Sequence, residues 1–264
     1  MDVDLETLMG LADAADAETL PRWRSASLTH ETKDDGSPVT AGDRAAEAAL
    51  LEEIGRHFPG AGFLGEETGE VGGSAGRRWI VDGIDGTGSF IAGREEWSTL
   101  IALVVDSVPV AGIVSAPALG ARWWAAGGVA NRTTASGEST ELRVSGVGAL
   151  DGDRLASWPP VSHVRSLALQ EPAERLEDFT GAHSGIRPSQ GAGVPNGAML
   201  VAEGRYDAFV LFGGGPWDHA APAAIVAAAG GRFSDLDGST ALTSGVGVYS
   251  NGHVHDELLD RLAG

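Results

Sequence analysis

The segment Asp82-Gly83-Ile84-Asp85-Gly86-Thr87 sets two carboxylates three residues apart among glycines, directly after the apolar run Trp79-Ile80-Val81. Carboxylates crowded in this way repel unless a cation neutralises them, and hard divalent cations prefer oxygen ligands. Glycine lets the main chain approach an ion or a phosphate closely, and free N–H groups after such a turn bind anionic oxygens. Thr87 adds a hydroxyl able to orient a water. A solvated acidic turn would use the same residue types, so the reading depends on what else the chain supplies.

Three further motifs supply acids. Gly65-Glu66-Glu67 ends a short apolar run, Pro38-Val-Thr-Ala-Gly-Asp43 opens a helix, and Pro216-Trp-Asp218-His219-Ala-Ala opens another. Each alone reads as surface decoration; His219, beside Asp218, reads as a packing or surface residue. The set lacks the spacing of an EF-hand loop, because its acids are dispersed over the chain. It also fails the haloacid-dehalogenase signature, which needs an acid where Gly83 stands.

Composition narrows the classes further. The chain has 264 residues, 42% of them hydrophobic, and a formal net charge of −19. That charge argues against a nucleic-acid polymer or an anionic membrane as partner. An acidic protein that binds phosphate needs local positive charge, for which metal ions are the obvious source. With no cysteine, disulfides, thiolate catalysis and Cys-based zinc sites are excluded. The acidic start Met1-Asp-Val-Asp-Leu-Glu lacks the features of a signal peptide, so a cytoplasmic location is expected. The apolar stretch Leu100 to Leu119 is broken by Asp106-Ser107, Pro109 and Pro117 and reads as a buried hairpin, not a membrane span.

The elements that must position these acids follow from periodicity and breakers. Helices are predicted from Val3 to about Arg24, over Thr40–Phe58, Pro172–Phe179 and Gly197–Glu203, from His219 to Ala229, and over His255–Leu262. A short strand and turn fall in Thr29–Ser37. Strands are predicted at Gly62–Glu67, Trp79–Val81, Ser98–Val105, Val110–Ala116, Arg122–Ala126, Leu155–Ser157, Ala208–Phe212, Arg232–Asp235 and Val246–Ser250. The pattern is α+β or α/β, with an N-terminal half over 1–146 and a C-terminal half over 147–264 in one compact unit.

Taken in order, Gly65-Glu66-Glu67, Trp79-Ile-Val-Asp-Gly-Ile-Asp-Gly-Thr87 and Trp217-Asp-His-Ala-Ala resemble the inositol monophosphatase family of magnesium-dependent, lithium-sensitive phosphatases. That family carries Gly-Glu-Glu, Trp-hydrophobic-hydrophobic-Asp-Pro-Ile-Asp-Gly-Thr and Trp-Asp-x-Ala-Ala. The strands Leu100–Val104 and Val110–Leu119 and the run Arg122–Ala126 look most like its bacterial histidinol-phosphatase branch. The resemblance implies a layered α-β-α-β-α sandwich and hydrolysis of a small phosphate monoester by water, with two or three Mg2+ per site. It implies that Glu66, Asp82, Asp85, the Ile84 carbonyl and Asp218 hold metal. Asp43, Glu66 and Thr87 would be catalytic, and the N–H groups of Gly86 and Thr87 would bind phosphate. Arg187, Val194, Leu211 and Asp218 would face the substrate, and a homodimer is expected because homodimers are common in the family.

The chain departs from the pattern at three places. Gly83 replaces the usual proline, which is expected to loosen the turn, and Ser89 replaces the usual asparagine. At the substrate side, Leu211 stands where the family has a glutamate six residues before the tryptophan, and Gly193-Val194-Pro195 replaces a polar stretch. Arg187, Ser189, Gln190 and Asn196 remain as polar substitutes. The alternative readings are therefore a phosphatase of a nucleoside phosphate, sugar phosphate or other specialised intermediate, or a non-catalytic metal- or phosphate-binding relative.

Overall fold

A computed structural model describes residues 3–73, 76–181 and 196–264. Helix α1 (Leu5–Thr19) begins behind Asp4, whose side chain accepts the Thr7 N–H. It stops short of the predicted Arg24 because Pro21 has no N–H with which to continue the ladder. Strands β1 (His30–Thr32) and β2 (Pro38–Thr40) form a hairpin, reversed where Gly36 takes a φ of 82°. Helix α2 (Ala41–His57) follows at once. Asp43 Oδ2 accepts the Thr40 N–H at 2.8 Å and Thr40 Oγ1 accepts the Gly42 N–H at 3.0 Å, which closes the first turn of α2.

Strands β3 (Gly62–Gly65), β4 (Gly69–Val71) and β5 (Arg77–Asp85) lead to the short helix α3 (Thr87–Ile91). A meander of β6 (Ser98–Val105), β7 (Val108–Ala116), β8 (Ala121–Ala126), β9 (Val129–Thr134) and β10 (Ser139–Glu141) completes an eight-stranded sheet. The sheet is antiparallel except where β3 runs parallel to β5. Strands β4 and β10 are short and mostly exposed, so they carry no apolar signal in the sequence.

The rest of the chain supplies β11 (Leu155–Trp158), α4 (Leu167–Thr180), α5 (Gly197–Ala202), β12 (Ala208–Phe212), α6 (Pro216–Ala228), β13 (Arg232–Ser234), β14 (Val246–Ser250) and α7 (His255–Ala263). Pro172, which marks a helix start by propensity, lies inside α4 instead. The second sheet has the order β11-β12-β14-β13, with β11 and β12 parallel.

Alternating side chains build the layers. On one face of the large sheet Trp79, Val81, Ile101 and Ile113 pack against Leu8 and Leu11 of α1 and Leu50 and Ile54 of α2. On the other, Ile80, Leu100, Val114 and Trp123 meet α5 and α6, which also cover Phe209 and Tyr249 of the small sheet. The far face of the small sheet, with Val210 and Val248, is closed by α4 and α7. The order is therefore α-β-α-β-α, as expected from the resemblance. Each fully buried leucine or isoleucine here contributes roughly 1.5–3 kcal/mol. Helix α6 lies very near the sheet: a Cβ on Gly112 of β7 would sit 3.0 Å from Ala221 Cα. The alanine-rich face of α6 permits that approach and brings its first turn to the end of β5.

Candidate active site

In a regular strand, residues three apart point to opposite faces. Asp82 and Asp85 nevertheless converge, because β5 does not end in a turn as the sequence suggests but continues through a bulge. Asp82 pairs with Leu100 and Asp85 with Ser98, so three steps along β5 match two along β6. The extra residue rotates the strand. It also turns Ile84 toward Phe90 and Trp97 in a small apolar cluster.

Gly83 lies within this bulge and is fully packed. A Cβ there would come within 2.5 Å of the Asp43 carbonyl oxygen and 3.3 Å of Ala46 Cβ. The expectation of a loosened turn is thus corrected: the missing side chain lets β5 touch the main chain of α2, and Thr99 Oγ1 donates to the Gly83 carbonyl at 2.8 Å. Gly83→Ala is expected to cost roughly 1–3 kcal/mol, because the obstructing atom is backbone. Chemical denaturation would measure the loss, and unchanged stability would contradict this packing.

Asp218 joins the pair from the other half of the chain. It occupies the first turn of α6, where its Oδ2 accepts the Gly215 N–H at 2.6 Å. Asp82, Asp85 and Asp218 each bring a carboxylate oxygen within 4.8 Å of the others. Their electrostatics follow from burial and mutual repulsion. Burial, with Glu66, Asp218 and Asp85 beside it, holds Asp82 well above the usual carboxylate range. Asp85 is pushed up to about 6 by burial, opposed by Asn196, whose Nδ2 donates to it at 3.3 Å. Asp218 is pushed up to about 8 by burial and then by Asp85.

Glu66 extends the cluster. The Lys33 ammonium, carried by the β1–β2 hairpin, lies 2.6 Å from Glu66 Oε1 and 2.5 Å from Glu67 Oε1. Burial raises the Glu66 carboxyl while Lys33 opposes the rise. The turn holding Glu66 is fixed from below by Glu47 of α2, fully buried, whose carboxylate accepts the N–H groups of Glu67 at 3.0 Å and Thr68 at 2.7 Å. Asp43 has one carboxylate oxygen committed to Thr40, while the other lies 3.0 Å from Thr87 Oγ1. Thr87 Oγ1 is also 3.0 Å from the Ile84 carbonyl. One hydroxyl proton serves one of these acceptors at a time.

The donor set fits a hard divalent cation: carboxylates and a main-chain carbonyl, crowded and partly desolvated, with an ammonium already drawn to the edge. The chain has no cysteine, and no histidine among the described residues enters it. His219 is fully buried and bonded to Tyr249 and Gly213, so of the two roles the sequence allows it packs and is not at the surface, and burial pushes it down to about 4. Gly86, with φ 84°, and Thr87 start α3, where first-turn N–H groups have no partner within the helix. Leu211 is partly buried on β12. Arg187 and Val194, like Ser189, Gln190, Gly193 and Pro195, lie outside the described residues. Lys33, Glu47, Thr99 and Tyr249 were not singled out for this site by the sequence, and Asn196, named there as a polar substitute on the substrate side, instead donates to Asp85. No short motif marks them, and each gains its role only through a distant partner.

Comparison with known proteins gives consistent matches. A model described as the inositol monophosphatase family matches residues 1–263. The chain is 40% identical over 260 residues to a histidinol-phosphatase of Mycobacterium tuberculosis, covering 98% of this chain and 97% of that protein. It is 40% identical over 266 residues to a histidinol-phosphatase of Streptomyces coelicolor, covering 98% and 96%. An inositol monophosphatase structure from Zymomonas mobilis superposes with a TM-score of 0.76 at 27% identity, covering 98% of this chain and 97% of that one.

Proposed function

The chain belongs to the inositol monophosphatase family and is a phosphatase of small phosphate monoesters, and we propose that it works by magnesium-dependent attack of water. The convergence of Asp82, Asp85 and Asp218 from two halves of the chain carries this reading. Those three, with Glu66 and the Ile84 carbonyl, would hold two or three Mg2+. Bound there, magnesium would neutralise phosphate charge and acidify water.

The protein groups do the rest by positioning, which phosphoryl transfer chiefly demands. The N–H groups of Gly86 and Thr87 hold phosphate oxygens. The attacking water donates toward Thr87 Oγ1 as Thr87 passes its own proton to Asp43 Oδ1, 3.0 Å away. Burial raises the Asp43 carboxyl, which suits it to receive that proton. A new P–O bond forms as the ester P–O bond breaks, and the departing oxygen leaves as an alcohol after protonation from solvent. As part of the same reading, residues 1–146 and 147–264 are two halves of one unit, the protein is a cytoplasmic homodimer, and sedimentation equilibrium tests the dimer. No helix among the described residues is long and apolar enough to cross a membrane.

The histidinol-phosphatase relatives favour an amino-alcohol phosphate as substrate. A second reading rests on Leu211, whose register partner on β11 is Trp158, 55% exposed. Both stand toward the carboxyl ends of the parallel pair β11–β12, and β12 leads directly to the turn before Asp218. An apolar wall of leucine and tryptophan suits a flat or apolar body, such as a nucleoside, better than a polyol or an ammonium group. Phosphate release from histidinol phosphate, inositol phosphates, sugar phosphates and nucleotides, with Mg2+ and with or without lithium, tests both readings. No release from any of them would sink the hydrolase assignment, and a clear preference for histidinol phosphate would sink the second reading. On that second reading Leu211→Glu is expected to raise kcat/KM for amino-alcohol phosphates relative to nucleotides by about tenfold, read from the same panel.

A further inference from the structure

Asp218 depends on a turn that cannot hold itself. Gly213, Gly214 and Gly215 connect β12 to α6, with φ of 131° at Gly213 and 88° at Gly214. A Cβ on Gly214 would fall 2.9 Å from Asp218 Oδ2, so the turn wraps the carboxylate closely. Gly215 donates its N–H to that same oxygen. Glycine is the most conformationally free residue, and three in succession need an outside hold to keep one geometry.

That hold is His219. Its Nε2 lies 3.1 Å from the Gly213 carbonyl and its Nδ1 2.9 Å from the Tyr249 hydroxyl. The carbonyl only accepts, so Nε2 carries the ring proton; Nδ1 then accepts from Tyr249, which fixes both tautomer and ring orientation. Tyr249 is anchored on β14 at 1% exposure, and His219 is wholly buried. The strand makes room for the ring: a Cβ on Gly247 would come within 2.7 Å of Nδ1.

We infer that His219 is a positioning residue, one that carries the rigidity of β14 through Tyr249 and the Gly213 carbonyl to the Asp218 carboxylate and so sets its readiness to bind metal. The connected path runs Tyr249 Oη–H to His219 Nδ1, His219 Nε2–H to Gly213 O, and Gly215 N–H to Asp218 Oδ2. This rests on Asp218 acting as a metal ligand.

The test is Mg2+ binding by isothermal titration calorimetry on the full chain, with the thermal midpoint recorded beside it. His219→Leu keeps similar bulk but no donor, and its Kd is expected to rise about 10–100-fold, the usual scale for losing a partner behind a ligand. His219→Gln, whose amide can still donate to Gly213, should recover most of that loss. Tyr249→Phe should raise Kd by several-fold through loss of ring orientation. A His219→Leu protein that folds and binds within twofold of wild type, while Asp218→Asn binds poorly, overturns the inference and leaves the metal assignment standing. If Asp218→Asn binds normally, the metal assignment itself fails and takes the inference with it. If His219→Leu does not fold, Tyr249→Phe decides, and an unchanged Kd there overturns the inference.

Discussion

Asp218→Asn is expected to lower kcat/KM by about 1,000-fold or more, the scale of losing a charge-stabilising contact at a reacting centre, while the protein stays folded. The side chain has two separable duties. As a hydrogen-bond acceptor it closes the first turn of α6 by taking the Gly215 N–H at 2.6 Å, and asparagine retains an oxygen for that. As a charge it meets Asp82 and Asp85 within 4.8 Å, and asparagine removes it. Activity should therefore collapse for lack of an anionic ligand, whereas the metal-free protein should gain stability because three crowded carboxylates become two. Phosphate-release kinetics with Mg2+ and thermal melting in a chelator read the two effects separately. Asp85→Asn should behave alike, and near-normal turnover in that variant would refute the metal assignment.

That separation of duties also explains what could be read from the chain beforehand. The acidic motifs taken in order, through the family they resemble, point to Asp43, Glu66, Asp82, Asp85, Thr87 and Asp218; apolar periodicity gives the helices and strands, and the resemblance implies their five layers. The geometry that makes two acids on one strand face one point does not show, because a bulge is a property of pairing between β5 and β6 and leaves no mark in either strand alone. Gly83 reads as a freer hinge where it is in fact a contact, since only the path of α2 reveals the Asp43 carbonyl against it. Glu47 and Lys33 look like ordinary helix and hairpin charges. They become part of the site only when folding brings the turn at Glu66 between them, 20 and 34 residues along the chain from their bonding partners at Glu67. His219, a packing or surface residue by sequence, is buried, and what it packs against is the turn that carries Asp218.

The raised carboxylates impose a pH dependence with a definite sign. A group whose folded pKa lies above its unfolded value binds its proton more tightly when folded. Its contribution is complete below the unfolded value, near 4 for an aspartate, and is lost as pH rises through the folded one. For Asp85 that loss runs from about 4 and is finished near 6, and for Asp218 it is finished near 8. The buried His219 and His255 act oppositely: both are pushed down to about 4 by burial, so their contribution is complete above about 6.5 and is lost as pH falls toward 4. Below about 6.5 the histidines and Asp85 partly offset each other, and above it the carboxylates act alone. The metal-free protein should therefore lose thermal stability from about pH 6.5 to about pH 8, and Asp218→Asn should largely flatten that slope. A cation competes with the same protons, so Mg2+ affinity should rise over the same interval and saturating Mg2+ should restore the lost stability. Melting curves across this interval, in chelator and in Mg2+, give the decision. A metal-free midpoint that holds level or climbs there would mean that Asp82, Asp85 and Asp218 are not crowded enough to need a cation, and the reading of this cluster as a metal centre would lose its electrostatic basis.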